Sequence, residues 1–528
     1  YIYQRYGRKR AALAATVITY RRKSALRDVA KALGINIEQL EQKIANYGWR
    51  YRASNWIDEI VNDGLGLAQH QIEIFKQLLD EISGFPRHLS QHVGGFVITE
   101  GNITDLVPIE NASMANRTVI QWDKDDLEAL DMMKVDILAL GILSAVRKTL
   151  DYIRQFHQTP IRIQDIARDD PAVFAMIQQA DTVGVFQIES RAQMNMLPRL
   201  KPACYYDLVI QVAIVRPGPI HGDMVHPYLK RRSGLEAVDY PKPELRPVLE
   251  RTLGIPIFQE QIIRLAMVAA DFSADEANDL RRSMASWKNA GHIQTLREKL
   301  TNKMLANHYP LDYVERINRQ IEGFGEYGFP ESHAAGFALI AYISAWLKYH
   351  YPAAFCCALL NSLPMGFYSA SQLVQDAQRH QVAILPADLN LSAWDSCLTT
   401  SATGATAIRI GLRRIKGLRA SAGLSLLLHR PDAGYQQIHQ LERVPGLSRA
   451  DLDALASADA LAQISGHRFQ ARWQTAALNQ QQDLLSTAFT DDDHSLAAPD
   501  EFENLIADQN STGLSLRKHI LQMLREKE

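Results

Sequence analysis

The segment Lys134-Val135-Asp136-Ile137-Leu138 sets an amine and a carboxylate two residues apart in an alternating, strand-like pattern. Alternate residues of a strand share a face, so Lys134 and Asp136 are expected to point one way and Val135 and Ile137 into the core. Charges on an otherwise apolar strand are costly to bury unless paired, solvated or bound to a metal. An ion pair at a sheet edge would meet that requirement. So would a divalent cation on Asp136 with Lys134 beside it for phosphate. That second chemistry is two-metal phosphoryl transfer, in which converging carboxylates hold ions ~4 Å apart. This strand supplies one carboxylate, and the others must come from elsewhere.

Further basic and aromatic groups suit a nucleotide. In Leu280-Arg281-Arg282-Ser283-Met284-Ala285-Ser286-Trp287-Lys288, helical spacing predicts Arg281 and Lys288 on one face, with Arg282 offset. Arginine there can grip a triphosphate with planar, two-point contacts; a solvated basic helix is the plainer reading. Gly323, Gly325 and Gly328 predict a turn that passes close to a ligand, with Tyr327 and Phe329 beside His333 where the segment runs into an apolar helix. Arg216-Pro217-Gly218-Pro219 reads as a rigid turn presenting one arginine, and Phe258-Gln259-Glu260-Gln261 as loop. His88 and His92 lack an acidic partner for zinc, and Asp123–Asp126 reads as a solvated turn.

Two short segments, Ile415-Lys416-Gly417-Leu418 and Val444-Pro445-Gly446-Leu447, lie 29 residues apart between helical stretches. A hydrophobic-x-Gly-hydrophobic turn between helices resembles a helix-hairpin-helix, whose backbone amides take DNA phosphates without reading sequence. Arg413, Arg414, Lys416 and Arg419 add positive charge around the first copy. Residues 1–27 hold eight basic side chains, among them Arg21, Arg22 and Lys23, and no acid. Such a run can follow a phosphate backbone or simply face water.

The elements that must position these groups are mostly helical. Residues 24–90 read as helices, 92–141 as strands around Phe96-Val97-Ile98 and Met133–Leu138, and 142–365 as helices broken by Gly and Pro. A short strand is expected at Thr406–Ile410, a linker at 480–512 and a final helix near Leu514–Leu524. The 528 residues are 47% hydrophobic and 22% charged with net charge −2, which excludes collagen, a disulfide scaffold and wholesale disorder. No long apolar run suggests a membrane span. Four cysteines without a C-x-x-C pair fit a reducing cytoplasm. Tyr1 opens what reads as mid-helix, as expected for an internal piece of a longer protein.

Y-x-x-Y-G-R at Tyr3–Arg8, H-V-G-G-F-V-I at His92–Ile98, M-K-V-D-I-L-A-L at Met133–Leu140 and G-V-F-Q-I-E-S-R at Gly184–Arg191 resemble the alpha subunit of bacterial DNA polymerase III. V-R-P-G-P at Val215–Pro219, F-Q-E-Q at Phe258–Gln261, L-R-R-S-M at Leu280–Met284 and Y-G-F-P-E-S-H-A-A at Tyr327–Ala335 follow in the family's order. The wording of Ala11–Gly34 is closer to the error-prone, damage-inducible branch, with the replicative alpha subunit as the alternative. A non-catalytic helix-hairpin-helix DNA-binding module is the reading from another class.

The resemblance implies an α+β, mostly α-helical chain. It would hold the end of a first nucleotidyltransferase-type palm segment (1–23), a thumb (24–90), a second palm segment (91–141), large fingers (142–400), tandem helix-hairpin-helix (401–475) and an acidic linker with a short helix (476–528). It implies Asp136 as the third catalytic, metal-binding carboxylate with Lys134 as an active-site lysine. Arg281, Arg282, Lys288, Tyr327 and His333 would serve the nucleotide, and Arg21, Arg22, Lys23, Arg216, Lys416, Gly417 and Gly446 the DNA. Two Mg²⁺ ions would join a dNTP to a primer 3′-OH on template DNA. The family's P-D-x-D-x-D-F segment, with its first two aspartates, is absent from these 528 residues, so the chain alone is expected to be inactive. A sliding clamp, through Gln482-Asp483-Leu484-Leu485, and accessory mutagenesis proteins complete the expected partners.

Overall fold

The computed structural model describes residues 1–36, 38, 40, 68–137, 140–216, 219–220, 223–285, 290–327, 329–365, 368–478 and 495–526. Two compact units divide at Leu140 and Gly141.

The first unit is built on a five-stranded sheet of β1 (Ala11–Thr19), β2 (Pro86–Ile98), β3 (Ile109–Asn111), β4 (Thr118–Ile120) and β5 (Val135–Asp136), in the order β3-β4-β1-β2-β5. β1 is antiparallel to β2 and parallel to β4. Central β1 is covered on both faces. Ala12 and Ala14 join Val97 and Ile120 against Ile103, Val107 and Leu127, while Ala11, Leu13 and Ala15 join Phe96 and Val119 beneath Tyr3 and Tyr6. Alanine is a poor strand former, so two-sided packing, not propensity, holds β1 extended. The Tyr3 hydroxyl accepts the Thr118 N–H at 2.9 Å and so ties the helix Ile2–Tyr6 to the sheet.

Helices Arg22–Ala32 and Gln69–Ile82 pack through Leu26, Val29, Ile72, Phe75 and Leu79, as their periodicity predicts. Residues 86–90, expected to be helical, instead pair with β1 as the first part of β2. The inward direction expected of Ile137 is also wrong. β5 is a two-residue strand at the sheet edge, and Ile137, just beyond it, is 42% exposed.

The second unit is mostly helical. The helix Tyr205–Ile214 is buried continuously from Asp207 to Ile214 and packs on the helix Glu331–His350. A buried helix of this kind shows no polar face. A small sheet of β6 (Ala383–Leu385), β7 (Cys397–Thr400) and β8 (Thr406–Arg409) has the order β6-β8-β7.

Three sequence expectations change here. Gly323 and Gly325 lie inside the helix Leu311–Tyr327 and do not form the expected turn. Phe258 is the N-cap of the helix Gln259–Ala270, and the buried Gln261 amide accepts the Ile257 N–H at 2.8 Å and donates to Thr252 Oγ1 at 2.8 Å. Residues 501–511 of the expected linker form a helix begun by an Asp500–Glu503 capping box. No helix among the described residues is long and apolar enough to cross a membrane.

Candidate functional site

Lys134 and Asp136 are positioned by an irregularity in β2. Leu13 pairs with Phe96 and Ala15 with Gln91, so one residue of β1 opposes the stretch 92–95 of β2. Bulges re-aim side chains beside active sites. Here His92 folds back so that its Nδ1 accepts the N–H groups of Gly94 (3.1 Å) and Gly95 (2.6 Å), and its Nε2 lies 3.2 Å from Lys134 Nζ. A Cβ on Gly95 would sit 2.8 Å from Lys134 Cδ and 2.9 Å from His92 Nδ1, so only glycine lets the lysine stem pass. Burial, then the Lys134 charge, lowers the His92 pKa against the opposing pull of Asp136. Gly95 pairs with Asp136, which carries its carboxylate at the exposed sheet edge.

Such a carboxylate fits a cation ligand, although one carboxylate cannot hold two ions. The Asp181, Asp376 and His380 cluster has metal-like spacing. Its centre is already filled: buried Lys348 Nζ lies 2.9 Å from both Asp181 Oδ1 and Asp376 Oδ2 and donates to the Val183 carbonyl at 3.1 Å. An internal ammonium thus does what a metal would do there, and the cluster does not fit one.

Of the nucleotide candidates, Arg281 and Arg282 lie on the helix Ala274–Ala285. Arg281 Nε donates to Asn278 Oδ1 at 3.1 Å, and Arg282 is exposed. Lys288 lies outside the described residues, as does the side chain of Tyr327, the last residue of its helix. His333, exposed on the first turn of the helix Glu331–His350, stands between Phe329 and Phe337. Arg216 lies over the ring of Phe329, its Cζ 4.4 Å from the ring centre.

The two hairpins repeat at one offset. The helix Ala420–Leu428 follows Gly417 and the helix Arg449–Ser457 follows Gly446, with 29 residues between equivalent positions. Both glycines have left-handed φ, +88° and +78°. Asp451 staples the copies together: its carboxylate accepts the N–H groups of Arg419 (3.1 Å) and Ser448 (2.8 Å), which are equivalent positions. It also accepts the Arg419 guanidinium (Nη2 at 2.5 Å) and the Ser448 hydroxyl at 2.6 Å. Burial alone would raise the Asp451 pKa. The Arg419 and Ser448 bonds outweigh it and hold the group well below the usual carboxylate range.

Three of the four basic side chains around the first hairpin have internal partners, and the fourth, Arg414, is half-buried with its Nε lacking an acceptor among the described residues. Arg413 pairs with Asp395 at 2.6 Å, and the Lys416 ammonium donates to the Gln509 carbonyl at 3.0 Å. The Lys416 N–H donates to the Ser511 carbonyl at 2.7 Å. Around the second hairpin, Arg443 and Arg449 are exposed and have no acceptor among the described residues, nor do the N–H groups of Gly446 and Leu447. In the basic N-terminal run, Arg8 bonds Asn111 and Arg10 the Thr99 carbonyl. Arg21 and Lys23 are exposed, and the Arg22 side chain lies outside the described residues.

Residues 1–139 match the family described as bacterial DNA polymerase III alpha NTPase domain and residues 142–308 the bacterial DNA polymerase III alpha subunit finger domain. Residues 381–471 match a helix-hairpin-helix motif. The chain belongs to the bacterial DNA polymerase III alpha family. It is 56% identical to an error-prone DNA polymerase of Hahella chejuensis over 531 residues, covering 100% of this chain and 51% of that protein. It is likewise 56% identical over 528 residues to an error-prone DNA polymerase of Vibrio vulnificus, covering 100% of this chain and 52% of that protein. The chain therefore spans about half the length of the curated relatives it matches, and its similarity lies with the error-prone branch.

Within this family chain, sequence reasoning missed Asp451, Arg443, Arg449 and His92 as organising groups. The 29-residue offset carried a signal for the first: Arg419 and Ser448 are equivalent, and one acid stands three residues beyond Ser448. Nothing local distinguishes Arg443 from Arg413, since only the fold decides which of them meets a carboxylate.

Proposed function

We propose that the full-length protein is a template-directed, error-prone DNA polymerase that acts in the cytoplasm on damaged primer–template DNA. In this reading 1–23 and 91–141 are palm, 24–90 thumb, 142–400 fingers and 401–475 the duplex-binding region. The observation that carries it is the exposed Asp136 carboxylate beside Lys134 and the His92 bulge at the sheet edge. Asp136 would be one ligand of two Mg²⁺ ions. When bound, the metal supplies charge for the primer oxygen and the leaving pyrophosphate. Lys134 would face the phosphates, and Arg281, Arg282, Lys288, Tyr327 and His333 the incoming dNTP.

One carboxylate of three cannot hold both ions, so residues 1–528 alone are expected not to extend a primer. A sliding clamp and accessory mutagenesis proteins are the proposed further partners. For the duplex, the two hairpins and the basic N-terminal run would take phosphates, and the Gly446 and Leu447 amides with Arg443 and Arg449, which have no acceptor among the described residues, favour the second hairpin. The test is metal-dependent extension by the full-length protein. Asp136→Asn is expected to lower the rate by at least ~10²–10³-fold. Retention of full extension would remove the catalytic assignment.

A further inference from the structure

His333 and Phe337, four residues apart, share one face of the helix Glu331–His350, and Phe329, just before its Pro330 N-cap, extends the row. Phe329 meets His333 edge-on with centroids 5.0 Å apart, and His333 meets Phe337 at 4.2 Å, tilted by 46°. Phe186, from the Gly184–Arg191 motif, closes the row with an edge contact to Phe337 at 5.2 Å, and Arg216 closes the other end over Phe329. The backbone under this row is fixed independently. The Glu331 N–H donates to Glu260 Oε2 at 3.0 Å, Tyr206 Oη to Glu331 Oε1 at 2.9 Å, and Tyr205 Oη to the Ala335 carbonyl at 2.6 Å.

What remains adjustable is the His333 ring. It is exposed, and neither ring nitrogen has a hydrogen-bond partner among the described residues. Its orientation therefore rests on ring contacts, of which Phe337 makes the closer. We propose that Phe337 is a positioning residue: it holds the His333 imidazole in one orientation, with both nitrogens left for a deoxynucleoside triphosphate, and Phe186 and Arg216 lock the row at its ends. This rests on the reading of His333 as a nucleotide contact. Phe337 itself touches no substrate.

Aromatic pair interactions require a ring and not merely apolar volume. In the full-length protein, Phe337→Leu is expected to raise the dNTP KM about fivefold with kcat within about twofold, and Phe337→Tyr to restore the wild-type KM. Because both act through one imidazole, Phe337→Leu with His333→Ala is expected to be no worse than His333→Ala alone. A wild-type KM in Phe337→Leu, full additivity with His333→Ala, or failure of Phe337→Tyr to rescue would each overturn the proposal. A readout without catalysis is the NMR shift of the His333 carbon-bound ring protons, identified by their loss in His333→Ala. Phe337→Leu should remove the ring-current displacement, and an unchanged shift would refute the stacking role. If His333→Ala leaves KM untouched, or Asp136→Asn keeps extension, the underlying nucleotide reading fails instead, whatever the Phe337 variants do.

Discussion

The first hairpin and the second share a backbone course, a left-handed glycine and an amide bound to the same Asp451 carboxylate, yet they differ in what they leave open. Arg413, Lys416 and Arg419 of the first meet acceptors within the chain and Arg414, though without one, is half-buried, whereas Arg443 and Arg449 of the second are exposed and meet none among the described residues. Position by position, Lys416 corresponds to Pro445. One apex N–H is used by Ser511 and the other does not exist. A repeated fold therefore need not repeat a binding site. Whether a cation is available to DNA depends on the carboxylates and carbonyls that the surrounding fold brings to it.

The severest challenge to this comparison is loss of the shared staple. Asp451→Ala leaves the Arg419 and Ser448 amides without their acceptor and is expected to destabilise residues 412–457 by about 2–4 kcal/mol. Hydrogen exchange should show both hairpins opening together, and protection lost in one copy alone would mean that they are independent. The same carboxylate sets a pH dependence. Its folded pKa lies below the ordinary 3.8, so its contribution is complete above that pH and is lost as pH falls through the folded value. Destabilisation of this region on mild acidification to pH 5 would contradict the assignment.

A smaller effect tests the asymmetry itself. Arg443→Ala with Arg449→Ala should reduce the salt slope of duplex binding by about two, close to one unit per phosphate contact removed. Arg413→Ala should leave that slope near wild type. Glycine substitutions then separate folding from binding. Gly417→Ala and Gly446→Ala both force a left-handed residue to carry a Cβ, and neither Cβ would clash, so each should cost about 1–2 kcal/mol of local stability. Only Gly446→Ala is expected to alter duplex affinity beyond that shared loss. Equal binding defects would erase the distinction between the copies.

Much of this was legible in the sequence, for identifiable reasons. The hairpins were visible because a glycine between apolar residues recurs at one offset. The helices Arg22–Ala32 and Gln69–Ile82 were visible because one face is apolar and the other wet. Strand β1 was not, because Ala11–Ala15 is covered on both sides and shows no alternation. Gly323 and Gly325 suggested a turn, but in place they are helical, since a weak local preference gives way to the packing of Val314, Ile317 and Ile321. Asp136 drew attention through its strand context, while the bulge that brings His92 to Lys134 depends on a pairing with β1 that no local pattern encodes.

The finest discrimination comes from Lys416. Its ammonium caps the carbonyl end of the helix Glu501–Ser511 through Gln509, where a positive charge complements the helix dipole. Lys416→Ala should therefore cost the contact between that helix and the first hairpin about 0.3–1 kcal/mol, seen as faster hydrogen exchange in 501–511. The Lys416 N–H bond to Ser511 involves only backbone and should survive, so the helix stays docked. Because the side chain is already committed, the salt slope of duplex binding should not change. A slope lowered by about one unit would mean that Lys416 leaves Gln509 for a phosphate when DNA arrives. The two hairpins would then be alike in the complex and unlike only in its absence.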